Sequence, residues 1–326
     1  MASKTILGYL SSHRMAFLSI LLAILGLLFR LFFEKLTWLS DSPLYLLVVC
    51  LMLSLFYHWQ RFIVRPLMLL FHLSLVVTLM ALLLSPHFRA SGYFELAEGQ
   101  TLHDRLILFE GGRFASPAPT DWALTQKIIH ADYRFADIGK SINTQLIDHH
   151  QKQAVRIGFM QAADIKGYRI EPTGNMGYAA VFTYTTRQGK QTRGVVNFPG
   201  YPTQTIQSNP FKGPAGKWVN ATLLMDNWPY REKQAWVLTI PASARIKLKT
   251  EQTGFILRPG ETQILPSGQL KLEKVSRWLG YKLSRDPLAP LIFISSLLCC
   301  ITLILYWLQS HKFESVKWNR VFSIAD

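Results

Sequence analysis

Apolar residues in this chain fall into long unbroken runs near both ends and short alternating runs between them. Residues 67–84 (LMLLFHLSLVVTLMALLL) pass without a charge, as do residues 288–308 (LAPLIFISSLLCCITLILYWL). At roughly 18–21 residues such runs predict helices able to span a bilayer. Two weaker segments come earlier: residues 15–33 are interrupted by Arg30, and residues 43–57 form a shorter run. The first has no small-residue cleavage site and is followed at once by more apolar sequence, so it predicts a retained anchor rather than a removed signal. The pattern therefore predicts three transmembrane helices within residues 1–84 (about 15–33, 43–57 and 67–84). A fourth, at 288–308, lies in residues 287–326 and is followed by a short tail.

Between the runs, residues 85–286 change period. The segments 179–186, 193–198, 218–224, 235–240, 245–249 and 269–276 are rich in β-branched and aromatic residues and show partial two-residue alternation, which predicts strands. Turn signals such as Arg187-Gln-Gly-Lys190, Arg258-Pro-Gly260 and Pro266-Ser-Gly268 separate them. Residues 122–151 are less regular and leave helix open. The predicted fold class is an integral membrane α-helical protein of four spans carrying a mainly antiparallel β domain outside the cytoplasm.

Charge gives this organisation a direction. With the N terminus inside, the inner flanks hold Lys4, Arg14, Arg61, Arg65, Lys312, Lys317 and Arg320, whereas the short outer loop 34–42 holds only Lys35. Positive residues stay on the cytoplasmic side, so both termini are expected in the cytoplasm, with residues 85–286 on the far side of the membrane. Trp38, Trp59, Tyr306 and Trp307 at span ends suit aromatic belts. The net charge is +15, and residues 85–286 carry 26 Lys and Arg against 16 Asp and Glu. A basic domain tethered beyond a membrane is expected to face phospholipid rather than nucleic acid, and no nucleic-acid-binding pattern is present.

Composition excludes several classes. With 49% hydrophobic and 17% charged residues, the chain is too apolar for disorder. Its three cysteines, Cys50, Cys299 and Cys300, all fall in predicted spans and form no C-x-x-C or zinc spacing. The outer domain thus has no thiol chemistry of its own. No G-x-S-x-G elbow, P-loop or H-E-x-x-H occurs, and the outer acids Glu95, Glu98 and Asp104 show no pairing that sequence alone reveals. No broken-helix pair or inverted repeat points to a solute transporter.

The most informative position is His72, an ionisable side chain inside an apolar span, where such residues are costly and mark function. It lies five residues into its run, about 8 Å from the inner end at 1.5 Å per residue. Arg65, seven residues earlier, is expected near the same helical face at the cytoplasmic edge. A neutral imidazole can ligate an iron porphyrin and an arginine can pair with a propionate, while an imidazole hydrogen-bonded to a neighbouring helix is the structural alternative; the residues alone leave both open. His87, about 60° from the His72 face by the 100° helical step, is expected to be solvated. His58 and His311 should face headgroups, Arg30 should snorkel to the interface, and Asp148-His149-His150 reads as a surface loop lacking a third metal ligand.

Two patches carry a resemblance. Phe71-His72-Leu73 runs on to Gly92-Tyr-Phe-Glu-Leu-Ala-Glu-Gly99, a glycine-led strand ending in Glu-Gly. Gly280-Tyr-Lys-Leu-Ser-Arg-Asp-Pro287 precedes the last span, which ends at Ser310-His311-Lys312. Asp286 and Pro287 suit the N-cap and first position of that helix. With the arrangement of three spans, outer β domain and closing span, this resembles the ResB (CcsB) family of system II cytochrome c biogenesis over essentially the whole length. The resemblance implies a haem-delivery and haem-attachment subunit acting with a ResC (CcsA)-like partner on apocytochrome c. It implies transiently bound haem b with His72 as axial ligand, and Arg65 would then be placed to contact a propionate. The chain is not expected to be an enzyme alone, the partner supplying the tryptophan-rich haem-handling motif. The other function class is a cofactor-free, membrane-tethered scaffold whose β domain binds a partner protein.

Overall fold

The computed structural model describes residues 18, 21–22, 37–102, 107–116, 122–133, 142–150, 152–158, 161–199, 207–213, 218–226, 236–240, 242–249 and 254–322. These fall into two compact units: Met1–Arg89 with Gly112–Ala115 and Asp286–Asp326, and Ala90–Gly111 with Ser116–Arg285.

In the first unit, α1 covers Thr37–Tyr57, α2 Trp59–Ile63, α3 Pro66–Phe88 and α4 Ala289–Phe322. Pro66 sets the start of α3. A proline ring disfavours helical backbone at the residue before it, and Arg65 is accordingly extended (φ −125°, ψ 77°) with Pro66 in the first turn. Asp286 introduces α4: its Oδ1 accepts the Leu288 N–H at 3.0 Å and its Oδ2 accepts the Ser85 hydroxyl at 2.7 Å. The Thr78 and Ser295 hydroxyls lie 2.8 Å apart, so α3 and α4 run antiparallel with small polar side chains bridging them, a common device between apolar helices.

Pro66–Phe88 and Ala289–Gln309 are long and apolar enough to cross a membrane. The predicted second span is a shorter apolar stretch, Ser42–Tyr57, within α1. Of the predicted first span only Leu18, Leu21 and Leu22 are described, all helical; Arg30 lies outside the described residues.

The second unit is mostly antiparallel sheet. Its strands are β1 Ala90–Ala97, β2 Leu108–Gly111, β3 Leu124–Tyr133, β4 Ile142–Asp148, β5 Gln153–Gly158, β6 Ala163–Ile165, β7 Tyr168–Thr186 and β8 Gln191–Pro199. There follow β9 Gln207–Lys212, β10 Trp218–Leu224, β11 Trp236–Val237, β12 Arg245–Lys249, β13 Gly254–Leu257, β14 Thr262–Leu265 and β15 Gly268–Arg285. Among the described residues they form a seven-stranded sheet, β2-β1-β15-β7-β6 with β14 on β15 and β8 on β7, and two four-stranded sheets, β13-β12-β10-β9 and β11-β3-β4-β5. The long strand β15 is the hub, pairing with β1, β7 and β14.

The two sequence patches singled out above meet in one ladder: Gly92 pairs with Leu283, Phe94 with Tyr281 and Glu95 with Gly280. Beneath it, Phe94 and Tyr281 stack at 5.2 Å between ring centroids. The buried Tyr281 hydroxyl donates to Gln126 Oε1 at 2.6 Å and lies 3.3 Å from Thr144 Oγ1, while Gln126 Nε2 donates to the Leu96 carbonyl. This corrects the sequence reading of residues 122–151: most of that stretch is the β3–β4 hairpin, not helix. Its polar residues broke the apolar alternation because Gln126 and Thr144 point inward to meet Tyr281, and a bulge between Ile128 and His130 shifts the period by one residue. Among the described residues of the predicted strand 235–240, Trp236–Val237 pair with β3 and the Leu238 N–H donates to the Ala131 carbonyl at 2.9 Å.

Candidate functional site

His72 lies nearly two turns into α3, half-buried, and its position follows from the chain break at Pro66. Because the helix stops before Arg65, the five-residue α2 turns back on α3. The buried Phe62 ring then sits with its centroid 4.8 Å from the imidazole, tilted at 60°. Phe71 meets the imidazole edge-on at 5.3 Å. Phe62 is a neighbour that sequence reasoning missed; Pro66 was the signal that could have found it.

Nδ1 of His72 is 2.8 Å from the Met68 carbonyl oxygen. A carbonyl only accepts, so Nδ1 carries the proton, and Nε2 of the neutral ring keeps its lone pair. Among the described residues Nε2 has no hydrogen-bond partner. A carbonyl bond on one nitrogen fixes the tautomer and ring orientation, a geometry that a ligating histidine shares with one that only bonds its own helix. His72 bonds within its own helix, to the Met68 carbonyl.

Arg65 stands apart from the expected geometry. It precedes α3 rather than lying on it, so a seven-residue helical spacing does not place it on the His72 face. Its exposed side chain instead lines a cavity of about 480 Å³ with Val64, Pro66, Leu67, Met68, Tyr306 and Gln309. The described contacts include none between Arg65 and His72, but Met68, whose carbonyl anchors the imidazole, is shared by both.

The remaining histidines separate. His58 introduces α2 and lines a cavity of about 880 Å³ with Phe56, Tyr57, Trp59, Gln60 and Arg61. His87 contributes its carbonyl to the Phe114 N–H at 2.8 Å. Asp148 Oδ1 accepts the His150 N–H at 2.9 Å and His149 Nε2 lies 2.9 Å from Thr125 Oγ1, a turn held by its own side chains. His311 is within α4, its side chain outside the described residues. No group of three or more His, Cys, Asp or Glu that could hold a bare metal ion occurs among the described residues.

The outer acids have structural partners. Glu98 and Arg277 form a two-point ion pair (2.9 and 2.8 Å), and each also bonds the Ile128 backbone, tying β15 to β3. Glu95 accepts from Asn197 at 2.7 Å and Tyr93 at 3.2 Å. Burial raises the Tyr93 phenol above its ordinary range. Gly280 makes room for this cluster: a Cβ there would lie 2.5 Å from the Tyr93 hydroxyl. Asp104 lies outside the described residues. Comparison with family models and with curated proteins returns no match.

Proposed function

We propose that this chain is a haem-handling subunit of a cytochrome c assembly complex in the bacterial inner membrane, with four spans, cytoplasmic termini and the β domain in the periplasm. The observation that carries the reading is the His72 imidazole: Nδ1 is committed to Met68 and the Nε2 lone pair is offered from an apolar helix. The residues fit haem as cargo. His72 Nε2 supplies an axial ligand for the iron, the Phe62 and Phe71 rings give an apolar wall, and Arg65 supplies a cation for a propionate from the cavity shared with Met68. Haem is the substrate, and the bonds to be made are thioethers, each apocytochrome thiol adding its S–H across a haem vinyl group with no oxidant consumed. That chemistry belongs to the complex, with a ResC (CcsA)-like partner, rather than to this chain alone.

The test is an absorption spectrum of the detergent-purified chain, co-expressed with its candidate partner, as wild type and as His72→Leu. A Soret band lost in the variant while the complex stays intact supports the ligand. No haem in either sample, with the complex intact and haem in ample supply, leaves the cofactor-free tethered scaffold as the reading. Phe62→Ala separates ligation from packing, since it removes the wall and spares Nε2; the band should weaken or shift rather than vanish.

A further inference from the structure

The sheet β13-β12-β10-β9 has an unusual charge distribution. Its strands (GFIL, RIKLK, WVNATLL and QSNPFK) contain no Asp or Glu, and their cations are Lys212, Arg245, Lys247 and Lys249. Register places all four on one face. Trp218 pairs with Lys212, Asn220 with Lys249, Thr222 with Lys247 and Leu224 with Arg245, and residues directly opposite in a ladder share a face. The other face, with Ala221, Leu223, Ile246, Leu248 and Leu257, is buried.

The cationic face also carries exposed apolar side chains: Trp218 at 62% exposure and Ile256, paired with Lys247, at 51%. The Lys212 ammonium lies 5.8 Å from the Trp218 ring centroid. Among the described residues, Arg245 alone of these four has a carboxylate partner, Asp226, just beyond the end of β10. Lys247 and Lys249 project side by side, about 7 Å apart at the rise of a strand. Lysines with an aromatic and an aliphatic side chain on one flat face form the composition that settles at headgroups, where ammonium groups meet phosphate and the rings enter the interface.

We propose that this face docks on an anionic phospholipid surface, Lys212, Lys247 and Lys249 binding headgroup phosphates and Trp218 and Ile256 seating at the interface. The inference rests on the reading above that the chain is anchored in a membrane. The anchor favours lipid over a soluble acidic protein because it holds the domain permanently beside the bilayer, raising the local concentration of headgroups.

The experiment uses the full chain in nanodiscs of phosphatidylcholine alone or with phosphatidylglycerol, with lysine acylation by an N-hydroxysuccinimide ester read by mass spectrometry. Labelling of Lys212, Lys247 and Lys249 should fall several-fold in the anionic discs and recover at high salt, while Lys152 and Lys190, exposed in turns of the other sheets, react equally in both. In Lys247→Glu/Lys249→Glu, protection of Lys212 should be lost, each removed cation weakening docking by about fivefold. Equal labelling in both discs, or protection that appears only with a co-purified protein partner, overturns the lipid assignment while leaving the anchor intact. Failure of the chain to incorporate into discs at all overturns the anchor and the inference together.

Discussion

The first unit holds 61 Leu, Ile, Val and Phe in 134 residues and the second 45 in 192, and the two also place them in opposite ways. In β10 and β12 apolar and polar positions alternate, so Leu223 and Leu248 are buried while Asn220 and Lys249 are exposed. In α3 and α4 apolar residues occupy every side of the helix, and the side that packs against no neighbour stays exposed: Leu70, Leu73, Val77 and Met80 on one face of α3, and Leu291, Phe293, Leu297 and Ile301 on α4. One unit encloses its oil in itself; the other presents it to its surroundings. Helices apolar on every side suit an apolar environment, and this arrangement, together with the higher apolar content of the end segments, is why residues 85–286 and the end segments read so differently.

Introducing a charge at the buried Leu248 and at the exposed Val77 separates the two solutions. Leu248→Arg, in the sheet interior, places an unpaired charge where nothing can pair it and should abolish folding of the β unit, read as loss of the cooperative thermal transition. Val77→Arg should cost about 2.5–3.5 kcal/mol if hydrocarbon surrounds α3, measured by membrane-insertion efficiency. A cost near zero would mean that water surrounds it and would remove the contrast.

Smaller changes sharpen the picture of the β interior. Tyr281→Phe leaves Gln126 Oε1 without its donor and should destabilise by about 1–2 kcal/mol at neutral pH. It should also change the alkaline limb. Burial pushes the Tyr281 and Tyr178 phenols above their usual range near 10, so the unfolded chain releases these protons first. Their contribution is full below about pH 10 and is lost as pH rises above it. The variant should therefore lose stability less steeply above pH 10, seen by denaturant unfolding across that range. Thr222→Arg, on the cationic face of β10 and directly opposite Lys247, should destabilise by about 0.2–1 kcal/mol, checked by the same melts.

Where tertiary partners left the local pattern undisturbed, the structure was legible in the sequence. Strands 218–224 and 245–249 were readable to the residue because each has one wet and one dry face. The 269–276 segment was seen only in part: β15 continues to Arg285, and its buried Tyr281 and bulges against β7 depart from simple alternation. The β3–β4 hairpin was missed because its polar residues are satisfied by a tyrosine more than 130 positions away. At the candidate site, His72 stood out because an ionisable group among leucines is rare. Its Met68 anchor is the ordinary i−4 neighbour of a helix, but its Phe62 wall could not be read from periodicity, since it depends on the chain reversing at Arg65-Pro66.

The position of β15 has a consequence for how the molecule is made. The strand that joins β1, β7 and β14 is the last of the sheet to leave the ribosome, and its pairing with β1 spans nearly the full length of the domain. Until it emerges, β1 and β7 must wait with open edges, and such long-range closure is slow and exposed to aggregation. The large sheet therefore completes only as α4 is being synthesised, making folding of this domain a late event, and one that a truncation ahead of residue 268 would prevent altogether.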